Sequence, residues 1–148
     1  MLLDGCQVLE NSKFNILVVD DEAILRSAIV FDFKRKGFNV LDAENGAQAF
    51  EIVKANKIDL VLTDVRMPGG DGIELLDKIK ALNASLPVVM FITGFADISL
   101  EEAYDKGVDA VFAKPFDRKA LLAAVLKALS DINDKWTSRK GVRAESDF

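Results

Sequence analysis

The sequence predicts an α/β fold in which a five-stranded parallel sheet is wound on both faces by helices. Three observations carry this. Five short apolar runs recur along the 148 residues, and segments with helical signals separate them. The first, third and fourth runs are apolar almost throughout, as strands covered on both faces should be. Half of the residues are hydrophobic, enough for one core in a chain of single-domain length.

Strand one is "FNILVV" (Phe14–Val19), and Asp20 and Asp21 stand directly at its end. The helical stretch that follows stops at Gly37, a residue type that ends helices because it adopts positive φ. Strand two, "FNVL" (Phe38–Leu41), is short and mixed, which suits a sheet edge. "NGAQ" (Asn45–Gln48) reads as a capping box for the next helix. Strand three is "DLVLT" (Asp59–Thr63), followed by Asp64 and a tight loop of Pro68, Gly69, Gly70 and Gly72 on which Met67 is a packing residue. "DGIE" (Asp71–Glu74) repeats the capping logic. Strand four is "PVVMFIT" (Pro87–Thr93). A short helix carries Tyr104, expected half-buried, and stops at Gly107. Strand five is "DAVFA" (Asp109–Ala113), with Lys114 behind it. Asp117 caps a last helix whose Leu121, Leu122, Val125, Leu126 and Leu129 form a stripe at helical spacing. A βα unit repeated five times gives a parallel sheet with right-handed crossovers.

Composition excludes several function classes. The net charge is −5 and the basic residues are dispersed, so no nucleic-acid surface is expected. Cys6 is the single cysteine and there is no histidine. Internal disulfides, cysteine clusters, phosphohistidine and histidine-built zinc sites are therefore excluded. No apolar stretch approaches membrane-spanning length and no secretory signal opens the chain, so a cytoplasmic protein without membrane contact is expected. Residues 1–12 read as an extension without a motif, 13–129 as the domain, and 130–148 as a continuation of the last helix and a tail. In that tail Ile132 and Trp136 lie in register with Leu129, and it is too short for an output domain.

In a parallel sheet, function gathers beyond the carboxyl ends of the strands. Asp20, Asp64, Thr93 and Lys114 all fall there, on one rim. Clustered carboxylates resist ionising unless a cation compensates them. Mg²⁺ fits, being a hard cation that takes oxygen ligands and keeps waters, with Mn²⁺ as an alternative. Lys114 supplies a positive charge for phosphate, Thr93 a hydroxyl donor. Asp64 lies on a different strand from the pair, so it can act as a nucleophile toward phosphorus while the pair holds metal.

"VVDDE" (Val18–Glu22), "LVLTDVRMPGGDGIELL" (Leu60–Leu76), "FITGFAD" (Phe91–Asp97) and "FAKPF" (Phe112–Phe116) together resemble the receiver domain of two-component response regulators. The resemblance implies a three-layer, flavodoxin-like (βα)5 fold with strand order 2-1-3-4-5. It implies that Asp64 is the phosphoacceptor, charged by a histidine kinase or a histidine phosphotransfer protein. Asp20, Asp21, Asp64 and the backbone carbonyl of Arg66 would hold Mg²⁺. Thr93 would be the switch hydroxyl and Lys114 the phosphate-contacting lysine, aimed by a cis bond to Pro115. Such a domain is a signalling phosphoacceptor that assists its own phosphorylation and dephosphorylation, not an enzyme acting on outside substrates. A downstream protein target, and a homodimer through helix 4, strand 5 and helix 5, are the other partners it implies.

The sequence departs from the family pattern at Val111, where an aromatic residue usually stands. A valine is stiff about χ1 and cannot swing as a ring does. Phe112 is its neighbour, but adjacent strand residues face opposite sides of a sheet. Arg66 and Phe95, each two residues beyond a key position, are expected to set the lifetime of the phosphoryl group. Two further readings compete: a receiver-fold interaction module that works without phosphorylation, supported by Val111, and a Mg²⁺-dependent phosphatase or phosphotransferase. The short connections leave no room for the cap and second acid that the latter needs.

Overall fold

A computed structural model of the protein describes residues 11–83, 86–94 and 98–144, with side chains as far as Ile132. The elements alternate in chain order: β1 (Asn15–Val19), α1 (Ala23–Arg35), β2 (Asn39–Ala43), α2 (Gly46–Ala55), β3 (Leu60–Asp64), α3 (Gly72–Leu82), β4 (Val88–Thr93), α4 (Leu100–Asp105), β5 (Ala110–Ala113) and α5 (Arg118–Ala144). The five strands form one parallel sheet of order β2-β1-β3-β4-β5.

The apolar runs form these strands because each has to fill two cores at once. Leu17, Val19, Val61, Val89 and Phe91 face one layer, where Ala49 of α2, Leu75, Leu76 and Ile79 of α3 and Ala103 of α4 close over them. Ile16, Val18, Leu60, Leu62, Val88, Met90 and Ile92 face the other, under Ile29 and Phe33 of α1 and Leu121, Val125 and Leu129 of α5. The alternation is the period of two that strand geometry imposes. In β2, at the edge, Asn39, Leu41 and Asp42 are exposed and only Ala43 is fully buried.

The helix ends follow their local chemistry. Asn45 accepts a hydrogen bond from the Gln48 N–H at 2.8 Å. The returning Gln48 side chain reaches the Glu44 N–H, one residue before the cap, so the box closes one position early. Asp71 accepts from the Glu74 N–H, and Asp117 from the Lys119 N–H at the start of α5. Gly37 and Gly107 hold φ of 97° and 106° just past α1 and α4. The bond from Lys114 to Pro115 is cis, as is that from Leu86 to Pro87.

One expectation is corrected. Tyr104 is exposed, at 49%. The six-residue α4 buries only Ala103, and the next residue round a helix is turned about 100° away, toward solvent. Helix α5 runs without a break to Ala144. Cys6, Phe95 and the side chain of Trp136 lie outside the described residues.

Candidate functional site

Strand register decides which residues meet. Val19 pairs with Thr63, Asp64 with Ile92, and Thr93 with Ala113. Asp20, Asp64, Thr93 and Lys114 therefore emerge side by side along the carboxyl edge. The order in which successive strands are added reverses between the neighbouring strands β1 and β3, and such a switch point opens a crevice there. Asp20 and Asp64 flank it.

Asp20, Asp21 and Asp64 each present one carboxylate oxygen, and all three oxygens lie within 4.8 Å of one another. Asp20 is 1% exposed and Asp64 5%, whereas Asp21 is open to solvent. Asp20 Oδ1 accepts from the Glu22 backbone N–H at 2.8 Å. Its other oxygen, Oδ2, is buried and accepts no hydrogen bond among the described residues; Lys114 Nζ stands 3.6 Å from it. A buried anionic oxygen without a donor is costly. Together with two more carboxylates it makes a hard-oxygen donor set that fits a small divalent cation.

Lys114 crosses the site from the end of β5. Its ammonium donates to Asp64 Oδ2 at 3.0 Å and to Glu22 Oε1 at 2.9 Å. Its own backbone N–H donates to the Thr93 carbonyl. Burial raises the pKa of Asp64, only partly offset by Lys114, and the charge of Asp21 adds to the rise. Burial likewise raises Asp20, partly offset by the Glu22 N–H and Lys114, while the charges of Asp64 and Glu22 push it further. Burial opposes the charge of Lys114, but its bonds to Glu22 and Asp64 outweigh this and hold it above the usual lysine range.

Thr93 is buried at the end of β4, where its hydroxyl donates to the Gly94 carbonyl at 2.9 Å. Arg66 is exposed on the loop after β3, and Met67 beside it is buried in the core. Val111 and Phe112 take opposite faces. Val111 packs on the cluster of Phe91, Ala103 and Val108, and Phe112 on that of Ile92 and Leu121.

Two residues escaped the sequence reading. Arg26 on α1 donates to the Asp20 carbonyl at 2.7 Å and to Asp42 Oδ2 at 2.8 Å, which ties the tip of β1 to β2 and fixes the direction in which Asp20 leaves the strand. Nothing local marks it, since it lies six positions beyond Asp20 on the polar side of a helix. Gly72 reads from the sequence as part of a turn and a helix start, yet a Cβ there would sit 2.3 Å from the Asp64 carbonyl. Its N–H donates to the Val65 carbonyl at 2.8 Å, so α3 starts pressed against the backbone of the acceptor. Gly72→Ala is expected to cost at least about 2 kcal/mol, the range for backbone clashes in a packed site. Urea denaturation of the two proteins checks this.

Comparison with known proteins gives one consistent result. The sequence model of the response regulator receiver domain matches residues 16–126. Sporulation initiation phosphotransferase F of Bacillus subtilis is 36% identical over 115 residues, covering 77% of this chain and 92% of that protein. A cyclic di-GMP phosphodiesterase of Thermotoga maritima is 37% identical over 115 residues, again 77% of this chain but only 30% of that protein. Among solved structures, a response regulator receiver domain protein of Clostridium thermocellum superposes with a TM-score of 0.73 at 30% identity, covering 81% of this chain and 97% of that one.

Proposed function

The chain belongs to the response regulator receiver family, and from that premise we propose that Asp64 accepts a phosphoryl group with the help of Mg²⁺, Lys114 and Thr93. The observation that carries the reading is the Asp64 carboxylate itself. It is buried beside two further carboxylates and has one oxygen held by an ammonium. Asp20, Asp21, Asp64 and the Arg66 carbonyl would hold the metal. When bound, Mg²⁺ neutralises charge developing on the phosphoryl oxygens.

The chain's own residues do the rest. A carboxylate oxygen of Asp64 forms the new O–P bond as the donor's bond to phosphorus breaks, and the bonding pair leaves with the donor. Lys114 turns an N–H toward the transferred group, and Thr93 offers its hydroxyl to a phosphoryl oxygen. No general base is needed, because a carboxylate nucleophile has no proton to lose as it attacks. The phosphoryl group would come from a histidine kinase or a histidine phosphotransfer protein in the cytoplasm, and the similarity to a phosphotransferase supports a place in such a relay. With Val111 in place of a ring, we read the switch as a movement of Thr93 and its loop, presented to a protein target beside α4, β5 and α5. A second copy is an alternative occupant of that face.

The test is incubation with Mg²⁺ and a small acyl phosphate, followed by intact mass. A single phosphoryl group on Asp64 supports the reading, and an unmodified protein rejects it. Stability offers an independent check with a fixed sign. Asp20 and Asp64 titrate above the ordinary 3.8, so the folded state keeps protons that the unfolded chain has released. Metal-free stability should fall as pH rises from that value through the raised ones, and stay low at neutral pH. Mg²⁺ should reverse the loss: at a twentyfold excess over its Kd it adds about 1.8 kcal/mol. A thermal midpoint at pH 7 that ignores Mg²⁺ would contradict the metal assignment.

A further inference from the structure

Glu22 follows the acidic pair and stands at the N-cap of α1, where a side chain ordinarily serves the first N–H groups of the helix. It makes no such bond. Instead its carboxylate, 61% exposed at the mouth of the site, reaches Lys114 at 2.9 Å, a contact between residues 92 positions apart. The backbone of Glu22 is held by Asp20 Oδ1, which accepts its N–H, and by Arg26, whose N–H donates to its carbonyl. A lysine ammonium has three N–H donors; two are committed here to Glu22 and Asp64, and the ammonium lies 3.6 Å from Asp20.

We propose that Glu22 is a positioning residue that competes with an incoming phosphoryl group for Lys114 and so slows the charging of Asp64 by small anionic donors. The proposal rests on the reading of Asp64 given above. Lys114 can stabilise the transferred group only by turning an N–H away from a carboxylate. Asp64 gives up its share as it becomes an acyl phosphate, but Glu22 keeps its charge throughout. Being exposed, it also repels a dianionic donor at the entrance. A larger physiological donor docked over the site can cover or displace this carboxylate; a free small molecule cannot. Glu22 thereby biases charging toward protein donors.

Three proteins test this: the wild type, Glu22→Gln, which keeps size and removes charge, and Glu22→Asp, which keeps charge. With acetyl phosphate and saturating Mg²⁺ at low ionic strength, Glu22→Gln is expected to be charged about 3–10-fold faster than the wild type, the gap shrinking at high salt as screening sets in. The gain should be smaller with phosphoramidate, which carries less negative charge, and beryllofluoride should bind Glu22→Gln more tightly. Glu22→Asp should stay near the wild type. A purely structural role would produce no dependence on donor charge or salt. Wild-type charging with Glu22→Gln unchanged, or Glu22→Asp as fast as Glu22→Gln, overturns this proposal alone. A wild type unmodified at Asp64 overturns the acceptor reading and this proposal with it.

Discussion

Asp64→Asn is expected to abolish charging by a small acyl phosphate in Mg²⁺, with a rate at least about 10³-fold below that of the wild type, as when a nucleophile is removed. The amide has the shape of the carboxylate but neither its charge nor a nucleophilic oxygen, so the O–P bond does not form. The fold should survive. The amide oxygen can still accept from Lys114, which now donates at 3.0 Å, and the substitution removes a buried charge whose pKa burial already raises. The metal-free variant should therefore unfold at an equal or higher temperature than the wild type at pH 7. Intact mass and a thermal scan on the same sample separate lost chemistry from lost structure. Phosphoryl transfer that persists in Asp64→Asn would place the acceptor elsewhere.

Lys114→Ala should have the second-largest effect, and it lowers both readouts. Charging slows because nothing replaces the ammonium beside the transferred group. Stability at neutral pH falls as well, since Glu22, Asp20 and Asp64 lose their common cation. Breaking a fully buried pair costs about 3–5 kcal/mol. Lys114 keeps 23% of its side-chain surface in water, which lowers the expectation to about 1–3 kcal/mol. Acid should rescue the variant, because protonating the raised carboxylates removes their repulsion, and Mg²⁺ should rescue it too. Urea titrations at pH 5 and pH 7, with and without Mg²⁺, give all four values. A Lys114→Ala protein equally stable in all four would mean that the ammonium does not balance the acidic group.

The layers were legible because burial on two faces leaves a plain mark. Runs such as Leu60–Leu62 and Val88–Ile92 admit no polar residue, and both lie in the centre of the sheet. The short, mixed run Phe38–Leu41 marked the edge, and there Asn39 and Leu41 are indeed exposed. The caps were legible because Asn45 and Asp71 act within three residues of themselves. Tyr104 misled because its type suggests burial, while a six-residue helix against this sheet has room to bury one position, taken by Ala103. At the site, Asp20, Asp64, Thr93 and Lys114 could be placed on one rim from strand ends alone.

By itself, then, the sequence determined the α/β order, the two-sided core and the rim on which the polar residues gather. Each of these follows from periodicity and chain direction, which are properties of neighbours. Tertiary structure alone decided that Glu22 shares Lys114 with Asp64, that Arg26 grips the carbonyl of Asp20, and that Gly72 leaves room for the acceptor's backbone. Those contacts join residues through strand register and side-chain reach. Periodicity tells which face a residue takes, and carries no record of the distant atom it meets there.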